Sequence, residues 1–202
     1  MRRKMLFAAC LYMIAAAAAG TWLLLGSVLT YGPFFRYFTN LSNLLAGGVS
    51  LLILISLLRK KPLSRHLTLA MLAASSAVTL TLLTVAVFLG PITVLQGGDY
   101  LSMFRGPLLL FHFLTPAAAF VTFSFLMKSQ RLLKRDVLFG LLPTFVYGAV
   151  YAFMIIRGNW PDFYHFTFGG RYALAPLVFA VMLGVSLGIS ALLVKLHNLR
   201  KE

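Results

Sequence analysis

The chain has 202 residues, of which 60% are hydrophobic and 11% charged. Soluble globular domains run near half apolar and a quarter charged, so the composition excludes an ordinary soluble domain. The formal net charge of +14 comes from 18 Lys and Arg against 4 Asp and Glu; in a soluble chain it would point to nucleic acid, but beside hydrophobic spans it is read by position.

Six apolar stretches are long enough to cross about 30 Å of hydrocarbon as helices rising about 1.5 Å per residue. They cover residues 5–29, 41–58, 67–89, 107–127, 137–156 and 172–194. The pattern predicts one all-α, polytopic domain over residues 1–202, because lipid leaves backbone groups to be satisfied inside each segment. The short alternating segments of a membrane β-barrel are absent.

The first stretch follows Arg2-Arg3-Lys4, and its alanine run, Ala15 to Ala19, imitates a signal-peptide cleavage region. Apolar character continues through Trp22 to Leu29, which favours a span over a cleaved signal. Its lone Cys10 excludes an internal disulfide, a cysteine-built zinc site and an iron–sulfur cluster. No metal or other cofactor is expected.

The second stretch opens on Phe35-Arg36-Tyr37-Phe38-Thr39-Asn40-Leu41-Ser42-Asn43. In a helix, Thr39, Asn43, Gly47 and Ser50 share one face, and that face must turn away from lipid. Thr39 reads either as a helix N-cap or as a functional hydroxyl. Asn40-Leu41-Ser42 spells a glycosylation sequon, too close to the membrane to be used.

Gly90-Pro91 closes the third stretch. The fourth carries His112, the clear ionisable side chain within a span, about 8 Å below the boundary. Pro116 follows four residues later and deprives the His112 carbonyl of its helical partner, which predicts a bend. The imidazole is either a helix–helix hydrogen bond or a functional base. Asp99, Asp136, Asp162 and Glu202 all lie outside the span interiors, which counts against proton- or sodium-coupled transport.

Between the fifth and sixth stretches runs Arg157-Gly158-Asn159-Trp160-Pro161-Asp162-Phe163-Tyr164-His165. Trp160 and Tyr164 read either as interfacial anchors or as a lid over the second and fourth spans. Under the lid reading, Asp162 and His165 orient His112 or bind a polar headgroup. Small-residue faces at Ala16/Gly20 and Gly184/Gly188 suit close helix packing, within the chain or between chains. The oligomeric state stays open.

Fourteen of the cations cluster at the termini and in the two loops after the second and fourth stretches. Arg36, Arg105, Arg157 and Arg171 stand on the other side. The positive-inside rule then predicts cytoplasmic N- and C-termini in a cell membrane, and orientation absorbs most of the charge. Nucleic acid is not an expected partner. All seven lysines fall on the cytoplasmic side, so the outer cations are all arginine. Arginine holds carboxylate or phosphate bidentately, and Arg36, Arg105 and Arg157 are anion-binding candidates.

At Tyr37-Phe38-Thr39-Asn40, at His112 to Pro116 and at Gly158-Asn159-Trp160-Pro161, the sequence resembles the bacterial six-span membrane proteins related to the androgen-induced and androgen-dependent membrane proteins of animals. The resemblance covers most of the chain in span count and motif order. The animal members are intramembrane threonine hydrolases that cleave fatty acid esters of hydroxy fatty acids. By position, the resemblance implies Thr39 as nucleophile and His112 as base, and it matches the outer-loop tryptophan to Trp160. Where the family has a tyrosine–proline pair after that tryptophan, Pro161 follows directly here and Tyr164 comes later. The chemistry so implied is hydrolysis of a lipid or fatty-acyl ester in the outer leaflet of a bacterial cytoplasmic membrane. A hydroxyl becomes nucleophilic when a base takes its proton, and Asn40 and Asn43 are oxyanion candidates. The alternatives are a non-enzymatic lipid-binding or membrane-organising protein, and a small-molecule transporter or channel.

Overall fold

A computed structural model describes residues 1–27, 31–127 and 129–199. Six helices are long and apolar enough to cross a membrane: α1 (Arg2–Gly26), α2 (Phe38–Leu58), α3 (Arg65–Leu95), α4 (Pro107–Leu126), α5 (Lys134–Ile156) and α6 (Tyr172–Asn198). No strand occurs among the described residues. The expected end of the first span at Leu29, and the cations Lys128, Arg200 and Lys201, lie outside the described residues.

The central helix is α3, which touches α2, α4, α5 and α6, while α1 packs on α2 and α4. Small residues make this possible: Ala74, Ser75, Ser76 and Ala77 are all fully buried. Gly20 of α1 leaves room for the ring of Phe111, which a Cβ there would strike. The Ala16/Gly20 face thus packs within the chain, whereas Gly184 and Gly188 have no neighbour within 4 Å of an added Cβ. An apolar core fills the half of the bundle nearer the termini, from Cys10, Met13 and Ile53 to Met71, Phe123 and Leu193.

Several helix boundaries correct the sequence expectation. Helix α2 begins at Phe38 rather than at residue 41, so Thr39 and Asn40 belong to its first turn. Tyr37 occupies the N-cap position without a side-chain bond, and Thr39 is therefore not the N-cap. Helix α3 does not stop at Gly90-Pro91 but continues to Leu95. The chain passes the proline by widening into a π turn over Val85–Leu89. At Pro116 the chain does the same with a π turn over Leu110–Leu114, so the carbonyl facing the proline is that of Phe111 and not, as expected, that of His112. Helix α6 runs beyond residue 194 to Asn198, where Lys195 and His197 complete its last turn.

The two proline-linked π turns share one consequence. In each, the residue before the proline closes the wide bond: Gly90 to the Val85 carbonyl, and Thr115 to the Leu110 carbonyl. The next carbonyls along, Ala86 and Phe111, would look to Pro91 and Pro116, which have no N–H. Side chains from elsewhere supply the missing donors. The Tyr100 hydroxyl donates to the Ala86 oxygen at 2.9 Å, and the Asn43 amide to the Phe111 oxygen at 3.1 Å. In lipid such freed carbonyls are tolerated only when re-satisfied in this way.

Candidate functional site

The start of α2 and the loop between α5 and α6 meet at the end of the bundle away from the termini. The Phe38 N–H donates to the Tyr164 hydroxyl oxygen at 3.0 Å. Tyr164 and Thr39 line the same small cavity, and Thr39 lowers the Tyr164 phenol's pKa. Tyr147 and Tyr151, four residues apart on α5, stand beside them. The Tyr147 hydroxyl donates to the Arg36 carbonyl at 2.6 Å, and the Tyr151 hydroxyl to Asp162 at 3.0 Å. Burial pushes the Tyr164 phenol up to about 12, against the lowering effect of Thr39 and Phe38.

Asp162 holds the loop together. Its carboxylate accepts from the Tyr151 hydroxyl, the Phe166 and Thr167 amides and the Thr167 hydroxyl, at 2.6 to 3.0 Å. Burial raises its pKa, but these bonds, with those from Thr167 foremost, outweigh burial and hold the carboxyl below its ordinary value. These contacts correct the expectation that Asp162 orients His112: both oxygens are engaged within the loop and by α5. His165, expected to share that role, sits in the same turn with a φ of 54°. Trp160 packs on Tyr151 and Phe163. Tyr164 covers the start of α2.

Beneath Tyr164 lies a cavity of about 80 Å³. Thr39, Thr81, Thr144, Tyr147, Tyr151 and Tyr164 supply its polar groups. Its remaining walls are apolar but for Thr84. Five of the lining residues, the polar Thr84 and the apolar Leu80, Phe88, Val178 and Met182, also line a groove between α3 and α6. That groove opens along the exposed side chains of Val87 and Val181 on the lipid-facing side of the bundle. The cavity that Thr39 lines and the groove on the lipid-facing side thus stand on either side of shared residues. Gly148 sits against the Phe179 ring in this wall, where any Cβ would strike the ring.

The second focus is His112, which is buried on α4. Its Nδ1 lies 2.6 Å from the Met103 carbonyl oxygen. A carbonyl only accepts, so Nδ1 carries the proton and neutral imidazole leaves the Nε2 lone pair free. Phe104 meets the imidazole edge-on at 6.4 Å. Among the described residues no hydrogen bond joins His112 to Thr39, and His112 does not line the Thr39 cavity.

Asn43 links the two foci. Its amide nitrogen donates to the Thr39 carbonyl at 2.8 Å and to the Phe111 carbonyl, beside His112, at 3.1 Å. Both amide hydrogens are thereby used, which corrects the expectation of Asn43 as an oxyanion donor. Its Oδ1 is buried without a partner. Asn40 donates to the Phe34 carbonyl at 2.9 Å, closing the turn before α2. The inward face of α2 is as the spacing predicts, with Thr39, Asn43, Gly47 and Ser50 all buried.

The outer arginines do not converge. Arg105 pairs with Asp99 at 2.9 Å, with both side chains at least half exposed. Arg157 stacks over Phe153 at 5.4 Å. Arg36 enters the site through its carbonyl. Among the described residues no cluster of three metal-ligating side chains occurs.

Sequence reasoning missed Thr144, Tyr147 and Tyr151, whose spacing of three and four on α5 was the available signal. It also missed the Met103 carbonyl, a backbone atom with no sequence signature. The fold and the site together define an all-helical protein with six helices fit to cross a membrane and a polar niche at one end. No family model, no curated protein and no solved structure matches the chain.

Proposed function

We propose that the chain is a multi-pass lipid hydrolase with cytoplasmic termini. It admits one acyl chain sideways between α3 and α6 and cleaves its ester at Thr39. The observation that carries this reading is Thr39 on a small cavity whose wall residues Leu80, Thr84, Phe88, Val178 and Met182 also line the groove between α3 and α6. In the proposed reaction the Thr39 oxygen attacks the ester carbonyl while His112 Nε2 takes the hydroxyl proton. The imidazolium returns that proton to the departing alcohol, and water then cleaves the acyl-threonine ester. The Met103 carbonyl serves as orienting group, fixing the tautomer with Nε2 as acceptor. The pairing of Thr39 with His112 comes from the resemblance to the threonine hydrolases.

This mechanism requires His112 and Thr39 to close on each other when substrate is bound. Catalytic hydrogen bonds are often long before the substrate arrives. The test is hydrolysis of long-chain acyl esters by the purified protein in vesicles. Turnover that disappears in both Thr39→Ala and His112→Ala, with unfolding profiles unchanged, supports the reading; turnover that survives either substitution refutes it.

A second reading, lipid binding without turnover, is favoured by one observation: His112 does not line the Thr39 cavity, and its Nδ1 is held by the Met103 carbonyl. It predicts a co-purifying lipid and no hydrolysis.

A further inference from the structure

At the opposite end of the bundle, where the termini lie, a cleft of about 670 Å³ separates the α4–α5 loop from the end of α6. Arg131, Lys134 and Lys195 line it and all three are exposed. Its apolar walls are the buried Leu132 and Val194, the half-buried Val137 and the exposed Ala191.

The cleft is built rather than incidental. The Asn198 side chain makes two hydrogen bonds to the backbone of Leu132, accepting from its N–H at 3.0 Å and donating to its carbonyl at 2.9 Å. Ser190 donates to the Val137 carbonyl at 2.8 Å. On the other flank, Asp136 accepts from the Leu133 amide at 2.7 Å and from Arg65 at 2.6 Å. These bonds hold the cationic loop against the last two turns of α6.

Every described carboxylate is already committed. Asp99 pairs with Arg105, Asp136 with Arg65, and Asp162 is held inside its own loop. Arg131, Lys134 and Lys195 therefore have no acidic partner among the described residues. Three cations without an acidic partner around one cleft complement an anion from outside. The apolar walls run down into the span region, which suits a ligand with a charged head and a hydrocarbon body.

We propose that this cleft binds one anionic phospholipid, its phosphate held by Arg131, Lys134 and Lys195 and its first acyl carbons laid against Val137, Ala191 and Val194. The site is independent of Thr39 and of the hydrolase reading. Basic residues at a membrane surface each contribute roughly a fivefold gain in affinity for anionic lipid. The three together are worth on the order of a hundredfold.

The test titrates the purified full chain with dioleoyl-phosphatidylglycerol or dioleoyl-phosphatidylcholine in mixed micelles and counts lipid adducts by native mass spectrometry. The expected result is one retained phosphatidylglycerol and no retained phosphatidylcholine. R131Q/K134Q/K195Q should weaken the adduct on the order of a hundredfold, whereas R59Q/K60Q/K61Q, on the same face but outside the cleft and so not touching the bound phosphate, should weaken it far less. Equal weakening by the two triple variants would mean diffuse surface charge and would overturn the site. Undiminished binding by R131Q/K134Q/K195Q would overturn it as well. Glycerol phosphate competing as well as the whole lipid would show that the apolar walls take no part, and the phospholipid assignment would fall.

Discussion

The Phe38 N–H donates to the hydroxyl oxygen of Tyr164, 126 residues further along the chain. The first amides of a helix have no partner within it, and Tyr37 offers α2 no side-chain cap. Tyr164 therefore acts as a remote cap. Removing its hydroxyl in Tyr164→Phe should cost about 1 kcal/mol, the usual value of a cap. Thermal unfolding in detergent measures this.

Tyr164 also sets an alkaline limit. Its phenol is raised from 10.0 to about 12 in the fold. A raised value favours the protonated folded form, so this contribution is complete below pH 10 and is lost as pH rises towards 12. Unfolding measured from pH 8 to 11 should show the advantage of the parent over Tyr164→Phe holding steady and then shrinking above pH 10.

Asp162 behaves in the opposite sense. Its carboxyl is held below 3.8, so the stability it contributes is present above that value and is lost as pH falls through it. Proteolysis of the α5–α6 loop should therefore accelerate in acid. Asp162→Asn should make the loop labile at neutral pH and remove the acid dependence.

Asn43 supplies the donor that Pro116 denies to the Phe111 carbonyl. Asn43→Ala should leave that buried oxygen unsatisfied, at about 1–3 kcal/mol. Pro116→Ala restores a backbone N–H at the position the carbonyl lacks. The double variant should lose less than the sum of the single losses, and a double-mutant cycle in thermal unfolding reads the difference.

The helices were legible because long uncharged blocks admit no other form in lipid. The ends were less so. Thr39 reads as an N-cap before a span starting at residue 41, and Gly90-Pro91 reads as a stop, until a distant tyrosine and a π turn accommodate them. The face of α2 bearing Thr39, Asn43, Gly47 and Ser50 was readable from spacing alone. The bonds that shape the site were not. Tyr164 to Phe38 and Asn43 to Phe111 join residues far apart in sequence, and His112 to Met103 depends on where a loop places one carbonyl. The pairing of Asp162 with the Thr167 hydroxyl, five residues away, was local enough to have been anticipated. The lid reading drew that carboxylate towards His112 instead.

The proposed acyl entry offers a prediction on chain length. Met182 lines both the inner cavity and the lipid-facing groove. Met182→Trp should obstruct that entry and depress turnover of long-chain esters more than of short-chain ones. Comparing kcat/KM for the two ester lengths gives the ratio.

The central claim is that Thr39 is a nucleophile activated by His112. Its most direct measurement is the mass of the peptide bearing Thr39 after reaction with a fluorophosphonate. A phosphonyl adduct on Thr39, absent from His112→Ala protein that unfolds at the parent temperature, is the predicted result. An unmodified Thr39 in the parent protein, or equal labelling with and without the imidazole, would contradict the account.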